Sequence, residues 1–95
     1  MALKLSVKLF ATIRLSTGLK VVDVNLEKPV NILEMLQIVS DIIDYDLLTE
    51  LVKEQDIIPG VIILLDGENI HHLNKLNTII EKDTVISIFP AVAGG

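Results

Sequence analysis

Residues 3–10 read Leu-Lys-Leu-Ser-Val-Lys-Leu-Phe, and their alternation decides the first element. Leu3, Leu5, Val7 and Leu9 fall on one side, and Lys4, Ser6 and Lys8 on the other. A period of two places one face on a core and the other toward water, which is a half-buried strand. Residues 19–26, LKVVDVNL, repeat the pattern with Val22, Val24 and Leu26 in phase. The two segments predict a hairpin whose connection, residues 11–18, is longer than a tight turn. The period then changes. In residues 31–43, NILEMLQIVSDII, the apolar Ile32, Met35, Leu36, Val39 and Ile43 recur at helical spacing, while Glu34, Gln37, Ser40, Asp41 and the following Asp44 take the other side. Pro29 precedes this helix, and Asn31 with Glu34 has the form of a capping box, in which each side chain accepts from a backbone N–H that the helix leaves unpaired.

Downstream, Asp46 followed by Leu47, Leu48, Leu51 and Val52 predicts a second, shorter helix. Pro59-Gly60 breaks the chain, and VIILLDG, residues 61–67, reads as a strand apolar on both faces, inside a sheet, ending in an Asp-Gly turn. Residues 68–83 are irregular, with a short strand near Ile70 and a turn around LNKLN. The last strand is TVISIF, residues 84–89. Two strands, a helical crossover and two further strands make an α+β domain, a mixed sheet with helices packed on one face. The order β, β, α, β, β is that of the ubiquitin-like β-grasp. The reading is of one domain over 1–95, with a flexible tail at 90–95.

Composition narrows the function classes. The 95 residues are 51% hydrophobic and 22% charged, as in a packed chain rather than a disordered one. The net charge of −5 argues against nucleic acid, whose phosphates require clustered Lys and Arg. Acids concentrate at Glu34, Asp41, Asp44, Asp46, Glu50, Glu54 and Asp56, against Lys53 alone, which reads as a solvated helical face with a docking surface for a basic partner as the alternative. With no cysteine there is no disulfide, thiolate metal site or thiol nucleophile. The first ten residues alternate instead of forming a signal-peptide block, and the longest aliphatic run, VIILL, is too short to span a bilayer. A cytoplasmic protein without membrane association is expected.

Few side chains invite chemistry. The adjacent His71 and His72 point in divergent directions with no third ligand at a standard spacing, and read as surface residues. DGEN, residues 66–69, is a hairpin turn rather than a phosphate loop, and no nucleophile elbow is visible. Phe10 and Phe89 both fall on the polar phase of their strands. If the first and last strands run parallel and adjacent, the rings lie close together where the tail departs. They then form a partner-binding patch or, alternatively, tuck under a loop as the strand ends twist. Pro90 cannot extend the ladder. Ala91, Val92, Ala93, Gly94 and Gly95 follow, none charged and none bulky. Extended, residues 90–95 reach roughly 20 Å, enough to enter a narrow active site. Two glycines remove every Cβ near the final carboxylate, so that a partner backbone and a nucleotide can approach it.

FPAVAGG, with PGVIILLDGENI and LNKLNTII upstream, resembles the MoaD/ThiS sulfur carriers, most closely the small subunit of molybdopterin synthase. Ala91 stands where that family often has a second proline, and Glu81-Lys82-Asp83 lacks the glycine common before its last strand. The resemblance implies that an E1-like (MoeB-like) enzyme adenylates the Gly95 carboxylate at the expense of ATP, with no cofactor bound by the chain itself. Sulfur transfer then gives a thiocarboxylate. The tail, with Gly94 beside the reactive Gly95, enters a MoaE-like large subunit and donates sulfur to cyclic pyranopterin monophosphate. Phe10, Phe89, Pro90, Ala91, Val92 and Ala93 are the implied partner contacts. The chain is then not a catalyst alone. Two alternatives share the same activated carboxylate: the thiamine-pathway carrier, and a ubiquitin-like modifier joined through Gly95 to lysines of other proteins.

Overall fold

The computed structural model describes residues 2–91. The alternating leader forms β1 (Leu3–Leu9), with its four aliphatic side chains buried and Lys4 and Lys8 exposed. The connection to the next strand contains a helix that its length alone did not predict, α1 (Ala11–Thr17). Only Ile13 of its seven residues is buried, so no apolar period marks it in the sequence. Gly18 ends it at φ 74°, a left-handed conformation that glycine adopts without a Cβ penalty. β2 (Val21–Leu26) returns antiparallel to β1, with Val7 opposite Val22 and Leu5 opposite Val24.

After β3 (Val30–Asn31), α2 (Ile32–Ile43) opens with the capping box complete: the Glu34 N–H donates to Asn31 Oδ1 at 2.8 Å, and the Asn31 N–H to Glu34 Oε1 at 3.0 Å. Ile32, Met35, Leu36 and Val39 are fully buried and share one apolar cluster with the inward side chains of the sheet. Ile43, expected on the same stripe, is half-buried at the helix end. In α3 (Leu47–Leu51) the Asp46 carboxylate accepts from the Thr49 hydroxyl at 2.6 Å and the Thr49 N–H at 3.2 Å, which holds its carboxyl below the usual range. Val52, expected to continue that helix, begins β4 (Val52–Lys53) instead. It pairs with β5 (Asp56–Ile57) across Glu54 and Gln55, both at positive φ.

β6 (Ile62–Leu65) and β7 (Glu68–Asn69) form the expected hairpin around Asp66-Gly67, at φ 48° and 87°. Two single 3-10 turns follow, Ile70–His72 and Lys75–Asn77. β8 (Ile79–Ile80) pairs with β3, and β9 (Thr84–Phe89) enters the main sheet. The sheet order is β2-β1-β9-β6-β7, with β9 parallel to β1 and antiparallel to β6. This is the ubiquitin-like β-grasp. The helices cover one face; the other lies open, so that Ile62, on a strand apolar on both sides, is 42% exposed. No helix among the described residues is long and apolar enough to cross a membrane. Of the expected tail, Val92, Ala93, Gly94 and Gly95 lie outside the described residues.

Replacing Asn31 with Ala should cost about 1 kcal/mol, because it leaves the Glu34 N–H without its acceptor at the start of the crossover helix. Urea denaturation should show a lower midpoint at unchanged slope; an unchanged midpoint would mean that the cap contributes nothing.

Candidate functional site

The parallel pairing of β1 and β9 runs from Leu5 opposite Thr84 to Leu9 opposite Ile88, so the two strands end together. Phe10 and Phe89 are the next side chains on the open face. Their rings stack with centroids 4.3 Å apart and planes 11° from parallel, and each is half-buried. A stack of this kind is favourable beyond its buried area and fixes both rings.

Helix α1 adds a residue that the sequence reading passed over. Arg14 lies four positions after Phe10, one helical turn on, and its guanidinium carbon sits 4.8 Å above the Phe10 ring. Its Nε donates to the Leu9 carbonyl at 2.9 Å, pinning the end of β1. The i, i+4 spacing was the available signal, but it has meaning only once residues 11–17 are known to be helical. Ala11, between them, holds φ 53°, a conformation uncommon for a residue with a Cβ.

The surface around the pair is apolar with cations beside it. Ile62 pairs directly with Phe89, and Val85, 39% exposed, lies on the same phase of β9. Lys8 follows the same phase of β1 as Phe10. The acids gather elsewhere. Asp41, Asp44 and Asp46 line a shallow cleft of about 490 Å³ with Gln37, Ser40, Tyr45 and Leu48, at the end of α2. The Ser40 hydroxyl there donates to the Leu36 carbonyl and the Tyr45 hydroxyl to the Glu50 carboxylate, so the cleft offers carboxylates and two hydroxyls that are already engaged. His71 and His72 are both exposed in their 3-10 turn.

The start of the tail departs from expectation. Pro90, read as a partner-facing residue, is buried, and Ala91 is half-buried against the core. Pro90 terminates the ladder for lack of an N–H, yet its ring stays under the sheet end and presents little surface to a partner. The packing therefore continues through Ala91, past the residue at which the proline ends the ladder. Ala91 rests against Gly60: a Cβ built on that glycine would lie 3.3 Å from Ala91 Cβ. The sequence marked Gly60 only as a breaker. The register of β6 with β9 would have paired it with Ala91, had that register been known.

Comparisons with known proteins agree with this arrangement. The ThiS family model matches residues 7–95. Small archaeal modifier protein 3 of Haloferax volcanii is 28% identical over 94 residues, which cover 98% of this chain and all of that one. The solution structure of a Haloferax volcanii protein superposes with a TM-score of 0.80 at 27% identity, over 99% of this chain and 88% of the other. Small archaeal modifier protein 1 of Methanosarcina acetivorans, also a solution structure, gives 0.74 at 27% identity over 100% and 99%. A β-grasp whose first and last strands end in a stacked aromatic pair, matched by one family model from Val7 to Gly95, belongs to the ThiS family of ubiquitin-like sulfur carriers and modifiers.

Proposed function

We propose that this chain is a sulfur carrier whose reactive group is the Gly95 carboxylate. The observation that carries the reading is the ThiS match, which runs through Gly94-Gly95 in a chain without cysteine. No thiol of its own can hold sulfur, so the main-chain carboxylate is the group left to do so. A free carboxylate lacks a leaving group, and adenylation supplies one. In an E1-like partner a carboxylate oxygen attacks the α-phosphate of ATP, pyrophosphate leaves, and an acyl-adenylate results. A persulfide-borne sulfur then attacks the carbonyl carbon, AMP departs, and reduction of the remaining sulfur–sulfur bond by a thiol frees the thiocarboxylate. Gly94 and Gly95 carry no Cβ, which lets a nucleotide and a partner backbone close around the reacting carbon.

The destination we assign is a MoaE-like large subunit of molybdopterin synthase and, within it, cyclic pyranopterin monophosphate. The support is the likeness of FPAVAGG, PGVIILLDGENI and LNKLNTII to the molybdopterin branch. Phe10 and Phe89 form the docking patch in this reading, with the small Val92 and Ala93 threading toward the partner's site. A second reading is favoured by the relatives at 27–28% identity, which are named modifier proteins: the same adenylate is attacked by a lysine amine, and Gly95 becomes joined to another protein.

A variant extended by one residue beyond Gly95, verified as unprocessed, should accept no sulfur and make no conjugate, with its thermal midpoint unchanged. Sulfur delivery by that variant would overturn the proposal. Phe89→Ala should weaken binding to the large subunit by about 1–3 kcal/mol, read by calorimetry, while circular dichroism keeps the native spectrum. Unchanged affinity would remove Phe89 from the docking surface.

A further inference from the structure

The aromatic pair is part of a longer row. The Leu9 N–H donates to the Lys20 carbonyl at 2.9 Å, on the β2 side of its strand. In an extended residue the C=O points the same way as the N–H, so the Leu9 carbonyl also faces that side. Arg14 Nε donates to this carbonyl at 2.9 Å, which places the guanidinium on the β2 side of Phe10. Phe89 lies on the β9 side, with its ring 4.3 Å from that of Phe10. The two neighbours therefore take opposite faces of the Phe10 ring, the guanidinium carbon at 4.8 Å, and leave only its edge to a partner. Phe89 keeps its far side, where Ile62 stands opposite on β6. Arg14, Phe10, Phe89 and Ile62 thus run in order across one end of the open face, cationic at one end of the row and aliphatic at the other.

We propose that Arg14 is a specificity-determining residue of the docking surface: its guanidinium pairs with a carboxylate on the protein whose apolar surface covers Phe89 and Ile62. The inference rests on the reading of the aromatic pair as the docking patch. The Nε bond and the ring hold the planar fork in place, so its rotamer freedom is lost on folding rather than on binding. Its two terminal nitrogens bond to no carboxylate among the described residues and are left to donate to both oxygens of one. Lys8, exposed on the same phase of β1 as Phe10, adds a second cation beside the ring. Asp23, an acid on the open phase of β2, sits further along the sheet, opposite Ser6, whose hydroxyl donates to it at 3.4 Å. The chain as a whole repels acids, with a net charge of −5 and with Asp41, Asp44 and Asp46 gathered at the end of α2. An acidic partner is therefore steered toward this end, and the row fixes its orientation: carboxylate over Arg14, apolar side chains over Phe89 and Ile62. A partner with a cation in place of that carboxylate is rejected.

The test is binding to the MoaE-like large subunit, read by calorimetry at rising ionic strength. Wild-type affinity should fall as salt screens the pair. Arg14→Gln should weaken binding on the order of tenfold at low salt and flatten that dependence. Arg14→Lys keeps the charge without the fork, so it should retain the salt dependence while recovering only part of the affinity. A merely structural role, in which Arg14 pins Leu9 and the ring, predicts instead the same loss for both variants at every salt concentration. That result would overturn the inference, as would an unchanged affinity of Arg14→Gln. Double-mutant cycles between Arg14→Gln and the replacement of each Asp and Glu of the large subunit by its amide should find one acid coupled to Arg14, and coupling to none would equally overturn it. A wild-type chain that does not bind the large subunit would remove the destination proposed above and this inference with it, whereas wild-type binding that ignores Arg14 removes the inference alone.

Discussion

The parallel pairing of β1 with β9 is the constraint on which the rest of the molecule depends. It joins residues 79 apart in sequence at its first contacts, where the Lys4 N–H also donates to Asp83 Oδ1 at 2.9 Å. Parallel strands cannot be linked by a short turn, so everything between them must serve as the crossover, and α2 does so with its apolar stripe on the sheet. Val7 beside Ile86 and Leu9 beside Ile88 fill the centre of the core, all four with no exposed surface. Burial of each aliphatic side chain is worth about 1.5–3 kcal/mol, so the column that closes the sheet is also a main source of its stability.

The direction of that pairing matters as much as its strength. Because the strands run parallel, Phe10 and Phe89 arrive at the same end of the sheet. An antiparallel β9 would leave Phe89 beside Leu3 and carry the tail away from the aromatic patch. The stack, the Arg14 guanidinium over it, the buried Pro90 and the approach of Gly60 to Ala91 all gather at the shared end of the two strands. The aromatic pair and Ala91 are thus held by one ladder, while the chemistry proposed for Gly95 asks nothing of the core beyond that placement.

Where the residues declare a period, the sequence was readable. The alternation of residues 3–9, the stripe of α2 with its capping box and the Asp-Gly hairpin all appear as read, because in each case burial on one side or a required positive φ selects the residue type. What escaped were short elements held by tertiary contact. Helix α1 buries only Ile13, and Val52 leaves its helix to pair with Ile57. The site divides in the same way. Two aromatic residues on polar strand phases were visible as anomalies. Arg14 and Gly60 acquire their places only from a helix and a register that no local pattern announces, and Pro90, a ladder terminator by its chemistry, is buried by packing that its own residue type does not encode.

The account's central claim is that a stable, cysteine-free β-grasp serves to present one main-chain carboxylate for sulfur transfer. The most direct measurement is intact-mass spectrometry, with fragmentation, of the wild-type chain after incubation with an E1-like activating enzyme, ATP and a persulfide donor. The account predicts a species in which one oxygen is replaced by sulfur, located on Gly95 and absent when ATP is withheld. A chain recovered at its original mass from an enzyme that charges another ThiS-family carrier, or sulfur located anywhere but Gly95, would contradict it.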